Sequence, residues 1–184
     1  MTEKSRNIAF VGQSGAGKTS IAEAMLFNTG VTTRLGSVDA GNSVLDFEPE
    51  ELKRKSTIST AFHQFDWQKT AVSVIDTPGD QNFISDTKLC MQAADSVVLV
   101  IDAIDGVKFQ SEQVWEFAEK SNLPVAIFIN KVDRERADFQ KAFDDAVEIF
   151  DVAFQRLTGL YFNNGFSHKS GFIVKTKEHK KQFF

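Results

Sequence analysis

The chain has 184 residues, 42% of them hydrophobic and 25% charged, with a formal net charge of −4; this is enough for about one domain with a genuine core. That balance gives no general electrostatic attachment to nucleic acid, and no apolar run approaches the roughly 18 residues of a membrane span. The single cysteine, Cys90, excludes an internal disulfide framework and fits a reducing, cytoplasmic compartment.

From the N-terminus, Met1 to Arg6 leads into a strand rather than a signal-peptide core. Ile8-Ala9-Phe10-Val11 is predicted as the first strand and Lys18 to Asn28 as the first helix. Between them, Gly12-Gln13-Ser14-Gly15-Ala16-Gly17-Lys18-Thr19 matches the phosphate-loop pattern G-x-x-x-x-G-K-[ST] without a gap. Such a loop wraps backbone N–H groups around a polyphosphate, Lys18 neutralises the β/γ charge, and the Thr19 hydroxyl is placed to ligate Mg²⁺. The helix that continues through Ser20 aims its positive end at the same phosphates.

Residues 30–55 show no periodic segment, and an ordered domain rarely keeps so long a loop unless it is functional. The run Lys53-Arg54-Lys55 inside it reads as a solvated face or a phosphate-backbone contact. Ile58 to Phe65 and Ala71 to Ile75 are predicted as the arms of a hairpin turning at Asp66-Trp67-Gln68-Lys69. Asp76-Thr77-Pro78-Gly79 follows. Alone it is a common turn; one strand downstream of a phosphate loop, Asp76 can hold Mg²⁺ through water, and the Gly79 N–H can approach a γ-phosphate because no Cβ intervenes.

A helix is predicted over Ile84 to Ala93, with Cys90 as a small buried side chain in it. A doubly buried strand is predicted at Val97 to Ile101, a helix at Ser111 to Lys120, and a second buried strand at Val125 to Ile129. Asn130-Lys131-Val132-Asp133 ends that strand. The Asp133 carboxylate can accept both hydrogen bonds of guanine's N1–H and exocyclic amine, a donor pair adenine lacks. Asn130 can brace the loop, and the Lys131 stem can lie over the ring. A last helix is predicted from Arg136 to about Val152. The three histidines, His63, His168 and His179, have no zinc-like spacing. Strands alternating with helices over short connections predict an α/β fold, a P-loop NTPase-type three-layer sandwich with a mainly parallel sheet, and ligands in such sheets bind at the strands' carboxyl ends.

These residues resemble the start of a translational GTPase, closest to the elongation factor G family, over about Arg6 to Val152. The resemblance is carried by Arg6-Asn7-Ile8, the phosphate loop, Asp76-Thr77-Pro78-Gly79, and Asn130-Lys131-Val132-Asp133-Arg134 followed by Ala137-Asp138-Phe139. Gln13-Ser14-Gly15 and Lys53 to Ser59 look like the divergent second-type paralogues. The resemblance implies GTP and GDP as ligands, Mg²⁺, GTP hydrolysis, a ribosomal partner and a monomer. It makes residues 30–55 the first switch, with Thr57 binding Mg²⁺ and the γ-phosphate in the GTP state, and Asp76 to about Phe83 the second. Lys53 to Lys55 would then be a ribosomal-RNA contact.

Two departures are visible. The family places a water-orienting histidine directly after Asp-x-Pro-Gly, where this chain has Asp80. A carboxylate beside the γ-phosphate costs Coulomb energy in a dry site, so slow hydrolysis is expected. Residues 1–153 are expected to form a GTP-binding domain lacking its last strand and helix, with 154–184 a divergent, poorly ordered tail, either a gene fragment's end or a genuine short form. A bare sheet edge and weak nucleotide affinity follow from that expectation. The alternatives are a nucleotide-binding module without turnover and a ribosomal protection-type factor; an ATPase is disfavoured by Asp133.

Overall fold

The computed structural model describes residues 4–151 in full and residues 155–157 and 171–174 through their backbone. In chain order the elements are β1 (Lys4–Val11), α1 (Lys18–Asn28), α2 (Pro49–Arg54), β2 (Ala61–Trp67), β3 (Thr70–Asp76), α3 (Ile84–Gln92), β4 (Ser96–Asp102), α4 (Phe109–Lys120), β5 (Val125–Asn130), α5 (Phe139–Phe150), β6 (Gln155–Leu157) and β7 (Gly171–Val174). A 3₁₀ turn, Gln81–Phe83, precedes α3.

One sheet runs in the order β2-β3-β1-β4-β5-β7-β6. β1 is parallel to β3 and to β4, and β4 to β5; β2 closes one side as the antiparallel arm of a hairpin. The period-2 alternation of each central strand divides the core in two. Ala9, Val11, Leu99, Ile101, Ile127 and Ile129 face one way, against Met91, Val114, Trp115, Ala146 and Phe150 of α3, α4 and α5. Phe10, Val74, Val100 and Phe128 face the other way, against Ile21, Ala22 and Leu26 of α1. This is the expected three-layer sandwich. β1 lies between β3 and β4; the chain leaves it through α1 toward β2 and β3 on one side, and β3 passes through α3 to β4 on the other, so the carboxyl end of β1 lies where ligands of such sheets bind.

Four sequence expectations are corrected. The supposedly aperiodic segment 30–55 contains α2, whose start is fixed by Pro49 at its first turn and a reciprocal cap between Glu48 and Glu51. The hairpin turn is tighter than expected: Asp66 and Trp67 stay paired, and only Gln68 (φ 46°) and Lys69 (φ 65°) turn, both left-handed as a two-residue turn between twisted strands requires. The last helix begins at Phe139 rather than Arg136 because the Asp138 side chain accepts the Lys141 N–H and caps it. The sheet edge beyond β5 is not bare. β7 lies antiparallel against it, from Ala126 opposite Val174 to Ile129 opposite Gly171, which pairs the N–H and C=O groups an open edge would leave free. Cys90 is half-buried, its Sγ 3.3 Å from the Thr60 hydroxyl. Beyond β6 and β7, the expected boundary at 153 and the tail lie outside the described residues.

Candidate functional site

Three loops leave the carboxyl ends of β1, β3 and β5 and meet around a cleft of about 420 Å³. Its lining includes Ser14, Gly15, Gly17, Lys18, Thr19, Ser20, Thr57, Gly79, Asn130 and Lys131. The phosphate loop follows β1 in a conformation only its glycines permit. Gly12, Gly15 and Gly17 have φ of 132°, 75° and 98°. A Cβ on Gly12 would strike the Val100 carbonyl, and one on Gly17 the Asn130 amide. Asn130 braces this loop as expected, its Nδ2 donating to the Ala16 carbonyl at 2.8 Å. Gln13 takes part through its backbone: its carbonyl accepts from Lys18 Nζ at 3.0 Å, while its buried side chain turns to Ser111 on α4.

Lys18 is buried, which lowers its pKa to about 8 against the pull of Asp76 and Asp46. Gly79 stands against it: a Cβ there would meet Lys18 Nζ, and the Ser14 N–H nitrogen at 2.6 Å. The Thr19 hydroxyl lies 2.9 Å from that of Thr57, and Thr57 donates to Asp46 at 2.8 Å. Because a hydroxyl has one proton, Thr19 is the donor to Thr57. Asp76, fully buried at the end of β3, has no hydrogen bond to either oxygen. Burial pushes its pKa up to about 7, with the neighbouring Lys18 ammonium offsetting part of the effect.

At the other end of the cleft, Lys131 (φ 61°) forms an ion pair with Asp102 at 2.8 Å. Its ammonium is thus anchored to the end of β4. Burial works against the Asp102 charge, but Lys131 and the Ile104 N–H hold its carboxyl below the usual range. Asp133 is exposed in the same loop, between the cleft-lining Lys131 and Arg134. Asp80 is exposed and turned to its own chain: Oδ1 accepts the Asn82 N–H and Nδ2, each at 2.9 Å.

Sequence reasoning missed the polar residues that hold the segment leading to Thr57. Asp46 is buried, and burial together with Glu51 and Glu23 raises its pKa against the Thr57 hydrogen bond. Glu51 is buried in α2 and accepts the Ile58 and Ser59 N–H groups at 2.8 Å and the Glu48 N–H at 2.9 Å. It clamps the backbone next to Thr57. The capping pattern Glu48-Pro49-Glu50-Glu51 is a signal that could have found it; Asp46 has none.

Residues 3–182 match the Elongation factor Tu GTP binding domain family. The chain is 39% identical over 150 residues to Elongation factor G of Granulibacter bethesdensis, covering 82% of this chain and 22% of that protein. To the mitochondrial Ribosome-releasing factor 2 of Debaryomyces hansenii it is 36% identical over 146 residues, covering 79% and 17%. Elongation factor G 2 of Borreliella burgdorferi is 36% identical over 140 residues, covering 76% and 21%. A crystal structure of a Thermus thermophilus protein superimposes with a TM-score of 0.74 at 30% identity, covering 78% of this chain and 22% of that one. The chain thus spans about a fifth of the length of the curated relatives it matches. With three strand-end loops converging on one cleft and this family match over nearly its whole length, the chain belongs to the Elongation factor Tu GTP binding domain family and is a translation-factor GTP-binding domain.

Proposed function

We propose that this domain binds Mg²⁺ with GTP or GDP, hydrolyses GTP, and acts with the ribosome in the cytoplasm as a monomer. The observation that carries this reading is the meeting of Lys18, Thr19, Thr57 and Gly79 on one side of a cleft whose other end holds Asn130 and Lys131. Phosphoryl transfer to water needs positioning and charge neutralisation rather than a protein nucleophile. Lys18 and the phosphate-loop N–H groups supply the positive field, the Gly79 N–H can approach a γ-phosphate, and Asp133 selects the base.

The residues fit Mg²⁺. Neighbouring corners of an octahedral shell lie about 2.9 Å apart at the usual ligand distance, and the Thr19 and Thr57 hydroxyls are 2.9 Å apart. Asp76, and one oxygen of Asp46, are buried carboxylate groups without hydrogen-bond partners, an arrangement a divalent cation with its waters would compensate. Among the described residues Lys18 is the one buried base beside these acids. When bound, the cation would neutralise the charge on the phosphate oxygens; Thr19 would hold it directly, joined by Thr57 in the GTP state, and Asp76 and Asp46 would hold it through water.

Thermal melting tests the reading. Mg²⁺–GDP at a hundred times its Kd should stabilise the chain by about 2.7 kcal/mol, and Mg²⁺–ADP at the same concentration should not. Equal shifts would overturn the guanine assignment. Asp80, committed to its own turn, favours a second reading in which the domain holds nucleotide with little turnover. Single-turnover GTP cleavage with and without ribosomes separates the two.

A further inference from the structure

Glu23 lies one helical turn beyond Thr19 on the same face of α1, and it is fully buried. Its Oε1 accepts the Ser43 hydroxyl at 2.6 Å, the Val44 N–H at 2.5 Å and the Leu45 N–H at 3.1 Å. Oε2 accepts no hydrogen bond. It rests against Gly36, where an added Cβ would run into the carboxylate, meeting its Cδ at 2.5 Å. One carboxylate on the phosphate-loop helix is thus covered by two stretches of the first switch. The residue after Leu45 is Asp46, which accepts the Thr57 hydroxyl. α1 therefore grips the switch at two levels, through Thr19 on Thr57 and through Glu23 on Ser43, Val44 and Leu45.

The chemistry differs from that of Glu51. The Glu51 carboxylate accepts from residues 48, 58 and 59 around its own helix, so it stays with the segment it shapes. Glu23 belongs to the body of the domain, and its side chain bonds to the switch. With the switch docked, three protein donors replace water on Oε1 in charge-assisted bonds, while Oε2 stays dry and unmatched, a cost that opposes docking. With the switch lifted, water reaches both oxygens. The unmatched oxygen offsets part of what the three bonds contribute, and an offset of this kind helps a γ-phosphate tip a segment from one arrangement to the other.

We propose that Glu23 is a positioning residue for the first switch: by drawing Ser43–Leu45 onto the phosphate-loop helix it sets Asp46 and Thr57 against Thr19. The proposal rests on the reading of the cleft as a triphosphate site, because only a γ-phosphate gains from a docked Thr57. Gly36 is its counterpart on the switch, a residue whose lack of a side chain lets the segment close over the carboxylate.

The test uses the full chain as wild type, Glu23→Ala, Glu23→Gln and Gly36→Ala. Amide hydrogen exchange is read at Val44 and Leu45, together with the Kd of Mg²⁺–GDP and of a Mg²⁺-bound non-hydrolysable GTP analogue. In Glu23→Ala the exchange at Val44 and Leu45 should accelerate about tenfold and the analogue should bind about tenfold more weakly, the loss of charge-assisted bonds. Exchange in β1, β3, β4 and β5 and the affinity for GDP should stay as in wild type. Glu23→Gln, which keeps an acceptor, should fall between. Gly36→Ala should reproduce the loss with Glu23 intact. Unchanged exchange at Val44 and Leu45 overturns the proposal, and so does an equal loss of both nucleotides with looser strand exchange, which marks a merely structural brace. A wild-type chain that binds neither nucleotide overturns the triphosphate reading instead, and the exchange comparison then decides by itself whether Glu23 holds the switch.

Discussion

The two walls of the cleft are built by different physics. The phosphate loop is fixed by backbone sterics: left-handed glycines, a Gly12 pressed to the Val100 carbonyl, a Gly17 pressed to Asn130, and buried β1 behind them. The segment proposed as the first switch, on the facing wall, is held by carboxylates. Glu23, Asp46 and Glu51 tie down its backbone and Thr57, while Val31, Leu35, Val44, Phe47 and Leu52 along it stay exposed. A wall made by sterics keeps its shape whatever occupies the cleft. A wall made by buried charge answers to the charge of its ligand.

The largest test of that contrast is Lys18, the charge carried by the fixed wall. Lys18→Met removes a buried ammonium that a polyphosphate would face, and the cost should be about 3 kcal/mol, or a hundredfold in the Kd of Mg²⁺–GDP. Titration with a fluorescent GDP measures it. A change of twofold or less would mean that the fixed wall contributes little affinity and that the contrast is misplaced. Asp133→Asn probes the loop that borders the far end of the same cleft between Lys131 and Arg134. It halves the acceptor capacity proposed to face guanine, so GDP should weaken about tenfold, ADP should not change, and the GDP-to-ADP preference should shrink by the same factor in a competition assay.

Asp76 joins the two walls, and its effect should appear without ligand. Its pKa is raised from 3.8 to about 7 by burial. The unfolded chain therefore loses this proton near pH 4 while the folded chain keeps it to about pH 7, so between those values the unfolded state binds fewer protons. On this group alone, the stability of the nucleotide-free chain falls as pH rises from about 4 to 7 and then levels off. Asp76→Asn should abolish that fall. The variant should be roughly 1–3 kcal/mol more stable at pH 7, because the amide carries no charge to be buried on folding, with no gain near pH 4. It should also lose the dependence of GDP affinity on Mg²⁺. Denaturant melts at the two pH values are the measurement, and a variant less stable than wild type at pH 7 would show that Asp76 is matched by groups other than a cation.

The same division explains what could be read from residue order. Gly12 to Thr19, Asp76 to Gly79 and Asn130 to Asp133 were visible because sterics and base recognition demand particular residues at fixed spacing, and strands such as Val97 to Ile101 because both of their faces are buried. The first switch gave no such signal. Its helix is six residues long, too short for periodicity, with only the cap at Glu48 and Glu51 as a local cue, and Glu23, Asp46 and Glu51 find their partners on this segment across 20, 11 and 7 residues of sequence, where no local pattern joins them. Lys131 shows the limit from the other side: its place in the motif was readable, but its pairing with Asp102 depends on β4 lying beside β5.

The smallest expected effect on stability concerns Asp80, which stands where the resemblance implies a histidine. Its Oδ1 accepts both Asn82 donors and caps the Gln81–Phe83 turn, so one of its two oxygens is engaged with its own turn. Asp80→His should lose that cap at about 1 kcal/mol and lower the melting temperature by about 3 °C for a domain of this size. It should also raise ribosome-stimulated single-turnover GTP cleavage about tenfold or more, because an imidazole can order water where the capped carboxylate does not. Asp80→Ala separates the two consequences: it forfeits the same cap but supplies no group for water. A faster rate in Asp80→His with none in Asp80→Ala assigns the slow step to the missing imidazole. Equal cleavage by all three chains would place the control of hydrolysis elsewhere, on the carboxylate-held wall that must close before any water is aligned.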